Sequence, residues 1–319
     1  MVAVTAPVDV DNVSAQLDGL AQVRHLNGVP AADRASLIGG AEVVFAANWS
    51  REFGPDEARD SSAGFVQMLW AGADQVPFDQ LPRQAVIASN AGAFAEPMAE
   101  HAVAMTLALM KRLPQNHLKL AAGTWDQGRT VRVLGSVHLI VGFGGIGQAA
   151  GRILRALGAR VYAINTSGQT TGSADFTGTL EDLHELLPQA DAVLLSIPLT
   201  RRTRGLIGQR ELALMKPSAV LVNVARGAVI DETALYEHLV AVPTFSAGID
   251  TWWQEPADPG GFAISHPFFD LPNVLGSPHN SGMVPGTLRA ATRHAVDNIA
   301  RFLRGEPVTG VVSADEYGD

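Results

Sequence analysis

The sequence of 319 residues contains no cysteine. This absence excludes disulfide bonds, cysteine nucleophiles and thiolate metal ligands, and no metal centre is expected. Lysine and arginine number 23 against 32 acidic residues and form no basic cluster, so a nucleic-acid partner is not expected. No apolar run is long enough to cross a membrane, and the first residues lack the basic start and apolar core of a secretory signal. A cytoplasmic protein without membrane or nucleic-acid partners is therefore expected.

The residues that are present have the composition of a compact folded protein. Hydrophobic residues make up 47% of the chain and charged residues 17%, and the length suffices for two domains with separate cores. In the first part, short apolar runs at 41–46 and 64–70 predict buried parallel strands. One long, mostly apolar helix is predicted over 96–113, with Pro97 in its first turn.

From residue 137 onward, predicted strands and helices alternate regularly. The strands are 137–141, 160–164, 192–197, 219–223, 247–249 and 274–277, and the helices include 147–157, 180–187 and 287–303. Serial strand–helix units predict a doubly wound parallel sheet with right-handed crossovers. We therefore expect an α/β protein in which a nucleotide-binding domain, 96–285, is inserted into a smaller, discontinuous domain made of 1–95 and 286–319.

The first of these strands leads into the pattern Gly142-x-Gly144-x-x-Gly147, and a helix follows directly. In a dinucleotide-binding turn, the first glycine permits the tight turn, the second lets the backbone approach a pyrophosphate, and the third allows close packing of helix on sheet. Glycines alone would be a weak signal in a chain with 32 of them, but the flanking strand and helix make it specific. The pattern predicts a Rossmann domain that binds NAD or NADP.

The choice between the two cofactors depends on the end of the next predicted strand. A carboxylate about 20 residues after the glycines normally holds the ribose hydroxyls of NAD, whereas an arginine nearby accommodates the 2′-phosphate of NADP. This sequence has Asn165, Thr166 and Ser167 there, with neither an acid nor a basic residue. Asn165 can bond a ribose hydroxyl, and the preference stays open.

Three charged residues near the ends of later strands are suited to the chemistry of 2-oxo acids. Arg226 lies in LVNVARGAVID, Glu255 in GIDTWWQEP and His279 in LPNVLGSPHNSG. A guanidinium can bind a carboxylate and polarise the neighbouring carbonyl, and an imidazole can transfer a proton near neutral pH. A carboxylate beside the imidazole favours its charged form. The expected reaction is hydride transfer to or from C2 of a small 2-oxo or 2-hydroxy acid.

At these residues the chain resembles the D-isomer-specific 2-hydroxyacid dehydrogenases. The resemblance covers nearly the whole chain and includes, in the family's order, SNAGAFAEPMAEH, GFGGIG, SIPLTRRTRGLI, LVNVARGAVID, GIDTWWQEP and LPNVLGSPHNSG. It implies a flavodoxin-like fold for the smaller domain and a homodimer that contacts through the region of the 96–113 helix. It also implies that Arg226 binds substrate, that His279 exchanges the proton and that Glu255 pairs with His279.

The resemblance extends to further binding residues. The amides of Ala71 and Gly72 would bind the substrate carboxylate. Apart from the resemblance, four residues that follow or end predicted strands of the smaller domain are candidates to shape the substrate pocket: Asn48, Trp49, Leu69 and Trp70. Asp250 and the Val224 carbonyl would meet the nicotinamide carboxamide. The other residues implied to contact the cofactor are Met98, Gly145, Ile146, Ile197, Pro198, Thr203 and Gly282.

The sequence departs from the family pattern at two further places. Ser281 stands where a small apolar residue is common, and the stretch 257–266 is longer than in many members. His101 and His138 are interpreted as structural histidines, and Trp252 and Trp253 as packing residues.

Two other functions share this scaffold. Related dehydrogenases oxidise formate or phosphite, although formate dehydrogenases typically carry glutamine at the position of Glu255. A dinucleotide-sensing binding protein or corepressor is the alternative outside enzymes, and the chain shows no added tail or basic face in its favour.

Overall fold

The computed structural model describes residues 1–54, 56–170, 172, 174–256 and 260–317, without the side chains of Ala31 and Ala32. The chain divides into two compact units. One unit comprises Met1–Phe94 and Pro285–Asp319, and the other comprises Ala95–Val284. Among the described residues, no helix has both the length and the apolar character needed to cross a membrane.

The first unit contains a parallel sheet of five short strands. In chain order its elements begin with β1 (Val2–Val4), α1 (Val10–Gln16), β2 (Val23–His25), α2 (Ala31–Gly39), β3 (Val43–Ala46), α3 (Trp49–Glu52), β4 (Phe65–Met68) and β5 (Val86–Ala88). The strands lie in the order β2-β1-β3-β4-β5, and each neighbouring pair is parallel. This order is that of flavodoxin-like folds.

The second unit contains a parallel sheet of seven strands. Its elements are α4 (Ala95–Met110), α5 (Leu113–Ala121), β6 (Val137–Val141), α6 (Gly145–Ala156), β7 (Arg160–Ile164), β8 (Phe176–Gly178), α7 (Leu183–Leu186), β9 (Ala192–Leu195), α8 (Gln209–Leu214), β10 (Val220–Asn223), α9 (Glu232–Ala241), β11 (Ser246–Ile249) and β12 (Val274–Gly276). The strand order is β12-β11-β10-β9-β6-β7-β8. Counted from β6, this contains the 3-2-1-4-5-6 order of Rossmann domains, so the predicted fold is confirmed.

The chain then returns to the first unit with α10 (Thr287–Leu303) and α11 (Ala314–Tyr317). Helix α10 presents Ala295, Val296 and Ile299 to the core of that unit, where they are buried in one cluster with Phe45 and Phe65 of the sheet. Their spacing of one, three and four residues puts them on one helix face. Helix α10 is therefore an integral layer of the first unit.

The long predicted helix 96–113 is interrupted in the structure. Helix α4 ends at Met110, Arg112 adopts a left-handed backbone (φ 53°), and α5 begins at Leu113. Lys111 donates from Nζ to the Val131 carbonyl oxygen at 2.7 Å, which ties the break to the segment that precedes β6. Lys111 and Arg112 end the apolar run of α4, and Pro114 lies in the first turn of α5, so the break coincides with polar residues and a proline.

Candidate active site

His279 and Glu255 meet beyond the carboxyl ends of β11 and β12. His279 Nδ1 lies 2.7 Å from Glu255 Oε2, and the other carboxylate oxygen, Oε1, accepts a hydrogen bond of 3.0 Å from the Trp252 amide. Because Nδ1 is engaged by the carboxylate, this bond fixes the imidazole ring and leaves Nε2 for another partner. No partner of Nε2 occurs among the described residues. The His279 side chain is 37% exposed, so the ring is accessible to a ligand.

The backbone of His279 is held in a conformation that few side chains adopt. Its φ of 49° lies in the left-handed region, and its amide donates to the Asp250 carbonyl oxygen at 2.8 Å. The Asp250 carboxylate is fully buried and accepts from the amides of Asn280 at 3.2 Å and Ser281 at 3.3 Å. Backbone strain of this kind persists only where surrounding bonds enforce it, and such positions cluster at functional sites.

The Glu255 carboxyl is ionised more readily than an ordinary glutamate. Burial raises its pKa, but the hydrogen bonds from His279 and from the Trp252 amide, together with the positive charges of His279 and Arg226, lower the pKa by more. The net shift is downward. A carboxylate is therefore present beside His279 Nδ1 at neutral pH.

Arg226 lies in the loop that follows β10, next to the loop that carries Glu255. The buried Asn223 closes the Arg226 turn, because its Nδ2 donates to the Arg226 carbonyl oxygen at 2.8 Å. A Cβ atom on Gly227 would lie 2.5 Å from the Trp252 carbonyl oxygen, so only glycine permits this close approach of the two loops. The guanidinium, half-buried, donates from Nη1 to the Ala225 carbonyl oxygen at 2.8 Å. Arg226, Glu255 and His279 thus belong to adjoining loops of one sheet edge.

The glycine loop fits the phosphates of a dinucleotide. Gly142 has φ 96°, and a Cβ there would lie 2.5 Å from the Ser196 carbonyl oxygen. A Cβ on Gly147 would collide with the Gly142 carbonyl oxygen, whereas one on Gly144 would meet nothing within 4 Å. The backbone at Gly144 therefore faces open space at the N-terminus of α6, where amides and helix dipole favour an anion. These are the requirements of a pyrophosphate cradle.

Asn165 directly follows β7 and organises its own loop. Its Oδ1 accepts from the amides of Ser167 at 3.1 Å and Gly168 at 2.7 Å, and its Nδ2 donates to the Gln169 carbonyl oxygen at 2.7 Å. The hydroxyl of Ser167 bonds within the same loop, and Thr166 is exposed. Asn165 thus shapes the turn in which a carboxylate or a cation would select between the cofactors.

The remaining residues implied to contact the cofactor border the same edge. Ile197 and Pro198 follow β9, and the buried Thr203 hydroxyl donates to the Pro198 carbonyl oxygen at 2.6 Å, which closes their turn. Val224 follows β10 and is buried. Met98 and Ile146 are partly buried against the core layer beneath α4 and α6, Gly145 begins α6, and Gly282 follows the His279 loop.

In the first unit, the loop after β4 carries the residues implied to bind substrate. The amides of Ala71 and Gly72 have no hydrogen-bond partner among the described residues, as an anion-binding turn requires. Trp70 is 40% exposed and stacks on Phe94, with ring centroids 5.6 Å apart. Trp49 and Leu69 are buried within this unit, and their suggested part in shaping a pocket stays a prediction.

A second histidine lies at this edge of the sheet. His101, interpreted as structural, has its Nε2 3.0 Å from Ser277 Oγ, and Ser277 Oγ donates to Asp250 Oδ1 at 2.6 Å. The signal was available, because His101 follows Met98 by three residues and therefore shares its helix face. The Ser281 hydroxyl is buried and has no partner among the described residues.

The longer stretch 257–266 is only partly described, since Ala257, Asp258 and Pro259 lie outside the described residues. Beyond them, Phe262 contacts Trp252 edge-on at 5.7 Å between ring centroids, and His266 stacks on Tyr236 at 4.7 Å. Trp252 and Trp253 both pack in this aromatic cluster, Trp253 stacked on Phe268.

Comparison with known proteins agrees with this architecture. Residues 103–281 match the family described as "D-isomer specific 2-hydroxyacid dehydrogenase, NAD binding domain". A glyoxylate/hydroxypyruvate reductase B from Pectobacterium carotovorum is 30% identical over 93% of this chain and 92% of its own. A D-3-phosphoglycerate dehydrogenase from Methanocaldococcus jannaschii is 28% identical over 98% of this chain, which spans 59% of that longer protein.

A solved structure of a D-isomer-specific 2-hydroxyacid dehydrogenase from Xanthobacter autotrophicus, in complex with NADPH and MES, shares the fold. Its TM-score is 0.81 at 24% identity, over 98% of this chain and 97% of that one. The chain belongs to the D-isomer-specific 2-hydroxyacid dehydrogenase family. It is an oxidoreductase of the NAD(P)-dependent class, and its second unit contains the NAD-binding domain of the family.

Proposed function

We propose that the protein transfers a hydride between NAD(P) and C2 of a small 2-oxo or 2-hydroxy acid, with Arg226, Glu255 and His279 at the centre of the reaction. The observation that carries this proposal is the 2.7 Å bond between His279 Nδ1 and Glu255 Oε2. It orients an accessible imidazole whose Nε2 can exchange a proton with the substrate oxygen.

In the direction of reduction, the chain's own groups have separate roles. The Arg226 guanidinium binds the substrate carboxylate and polarises the C2 carbonyl. As the carbonyl becomes an alcohol, the proton on its oxygen comes from His279 Nε2, and Glu255 stabilises the imidazolium before transfer. The 2-oxo acid gains one hydride and one proton in total.

The cofactor would be held by the loop from Gly142 to Gly147, with Asn165, Thr166 and Ser167 near the adenosine ribose and Asp250 near the nicotinamide carboxamide. In its reduced form the bound cofactor supplies the hydride. Either NAD or NADP is compatible with the open backbone at Gly144 and with the uncharged loop at Asn165.

The names of the relatives support short 2-oxo acids as substrates. They name glyoxylate, hydroxypyruvate and 3-phosphoglycerate, all of which are short 2-oxo or 2-hydroxy acids. We therefore propose glyoxylate or hydroxypyruvate as substrates to test first.

The test is a panel of glyoxylate, hydroxypyruvate, pyruvate and longer 2-oxo acids with NADH and with NADPH, followed by absorbance loss of the reduced cofactor. His279→Gln should abolish turnover and keep dinucleotide binding. His266→Gln is the matched control, because His266 bonds Thr233 Oγ1 at 3.0 Å away from this edge, and it should retain activity. Oxidation of formate or phosphite without turnover of any 2-oxo acid would contradict the proposal. So would dinucleotide binding without any turnover, as in a corepressor.

We also propose that the protein is a homodimer. Most of α4 is buried within its own unit, which accounts for its apolar composition. The apolar side chains left exposed lie farther along, on α5 and the segment after it, where Leu118 is 59% exposed and Trp125 79% exposed. Light scattering at micromolar concentration should show a dimer, and the double variant Leu118→Glu, Trp125→Ser should shift it to monomer. A monomeric wild-type protein would contradict the proposal.

A further inference from the structure

The carboxylate of Asp250 connects the His279 loop to helix α4. Asp250 directly follows β11, Ser277 directly follows β12, and His101 lies on α4, which packs on β10 and β11. His101 Nε2 is 3.0 Å from Ser277 Oγ and 3.7 Å from Asp250 Oδ1. The same carboxylate accepts two amides of the His279 loop.

The direction of these hydrogen bonds follows from the number of hydrogens available. A serine hydroxyl has one hydrogen, and the 2.6 Å contact from Ser277 Oγ to Asp250 Oδ1 uses it, because a carboxylate oxygen only accepts. Ser277 Oγ must therefore accept from His101, so Nε2 of His101 carries a hydrogen. The result is a chain of donors from His101 through Ser277 to Asp250.

This chain of bonds reaches a fully buried carboxylate, where an added donor has its greatest effect. A carboxylate removed from water requires hydrogen bonds to both oxygens, and the loss of one partner leaves it poorly satisfied. Oδ1 of Asp250 receives Ser277 and Asn280, and Oδ2 receives Ser281. The orientation of the carboxylate thus depends on the group that holds the Ser277 hydroxyl.

The face of α4 that carries His101 lies over the nicotinamide end of the proposed cofactor site. Met98 precedes His101 by one turn and Met105 follows it by one turn, so the three share a face. Met105 Sδ lies 3.9 Å from Ser277 Oγ, which places this face against the strand ends.

We propose that His101 is a positioning residue for hydride transfer: through the Ser277 hydroxyl it sets the orientation of the Asp250 carboxylate, which binds the nicotinamide carboxamide and fixes the His279 loop. This inference rests on the proposed function. It separates His101 from His138, which also bonds a serine but lies at the amino end of β6.

The experiment compares equilibrium binding of two ligands to the full chain. One is the preferred reduced cofactor, and the other is ADP-ribose, or its 2′-phosphate if NADPH is preferred, which lacks the nicotinamide. The variants are His101→Leu, which removes the donor, His101→Gln, whose amide can donate from a similar position, and His138→Leu as the matched control. Thermal unfolding of each variant is recorded alongside binding.

For His101→Leu we expect the affinity for the reduced cofactor and kcat/KM to fall roughly tenfold or more, because a hydrogen bond to a charged network is lost. Affinity for ADP-ribose should stay within about twofold, since the adenosine end is untouched. His101→Gln should restore most of the loss. His138→Leu should lower Tm and leave both affinities unchanged.

Equal weakening of both ligands by His101→Leu would show a merely structural role and overturn the inference. Unchanged binding of both would also overturn it, as would a His101→Gln variant no better than His101→Leu. If the wild-type chain binds no dinucleotide, the proposed function fails. If the wild-type chain binds normally and the variants bind as it does, only the inference about His101 fails.

Discussion

His101 and His138 belong to one unit and make the same first contact, yet they lie at opposite edges of its sheet. In both, Nε2 is 3.0 Å from a serine hydroxyl. The Ser136 hydroxyl donates a hydrogen bond of 2.6 Å to the Val133 carbonyl oxygen, whereas the Ser277 hydroxyl donates one of 2.6 Å to the Asp250 carboxylate. The first chain of bonds ends in backbone and the second ends in a buried charge next to His279.

The two edges differ in the same way as the two histidines. At the amino edge, Asp191 accepts from the Val137 amide at 2.8 Å and from Lys216 Nζ at 2.7 Å, so its bonds tie strands together. At the carboxyl edge, His279 is accessible and the backbone at Gly144 faces open space. Polar groups at the amino edge thus bond to other parts of the fold, whereas some of those at the carboxyl edge remain accessible. Parallel sheets bind their ligands at the carboxyl edge.

The largest effect should come from Arg226→Ala. We expect kcat/KM for a 2-oxo acid to fall roughly 10³-fold, because the charge that holds the substrate and stabilises the developing alkoxide is removed. Arg226→Lys should recover only part, since an ammonium lacks the planar fork. Lys216→Ala, at the amino edge, should cost about 1 kcal/mol of stability or less and leave KM unchanged. Steady-state kinetics and cofactor titration test the contrast, and loss of cofactor binding in Arg226→Ala would mean a structural role.

The second prediction concerns stability at the amino edge. Burial lowers the pKa of His138 from 6.5 to about 4, although the charge of Asp191 acts in the opposite direction. Between these two pH values, His138 is protonated in the unfolded chain and neutral in the folded chain. The free energy of unfolding therefore falls as pH falls, by on the order of 3 kcal/mol in all. His138→Gln should remove this component. Urea unfolding near pH 7 and near pH 4 measures it, and an identical pH dependence in the variant would contradict the assignment.

The third prediction returns to the carboxyl edge. Because the pKa of Glu255 is lowered, its carboxyl group stays ionised at pH values where an ordinary glutamate is already protonated. The charge is lost only as pH falls through the lowered pKa. In Glu255→Gln, the negative charge beside His279 Nδ1 is removed, so kcat/KM for reduction should no longer depend on the ionisation of residue 255. We expect a loss of roughly tenfold on the alkaline side and a smaller one on the acid side. An unchanged pH profile of kcat/KM would count against the pair.

The smallest effect is expected at Asn165. Asn165→Asp keeps an oxygen to accept the amides of Ser167 and Gly168 and adds a negative charge near the proposed ribose site. The charge should repel a 2′-phosphate, so kcat/KM with NADPH should fall severalfold while that with NADH changes little. Parallel assays with the two cofactors give the ratio. A fall of equal size with both cofactors would point to damage to the loop instead.

Much of the second unit could be predicted from the sequence, because its signals are local. The strands at 137–141 and 160–164 coincide with β6 and β7. In the first unit, the predicted 287–303 helix coincides with α10. The end of α4 has local signals, because Lys111 and Arg112 interrupt the apolar pattern and Pro114 follows, whereas the left-handed backbone of Arg112 has no sign in the sequence. Helix α6 starts earlier than expected because the glycine loop itself forms its first turn.

For this protein, the sequence by itself determined most strands of the second unit, the glycine loop, and the family to which Arg226, Glu255 and His279 point. Each of these depends on residues close together in the chain. Only the tertiary structure decided that His101 faces Ser277 and Asp250 while His138 does not. His101 and Ser277 are separated by 176 positions, and their contact arises from the packing of α4 across the ends of β11 and β12. The packing of a helix on a sheet decides which strand ends the helix face covers, and no local sequence pattern encodes that packing.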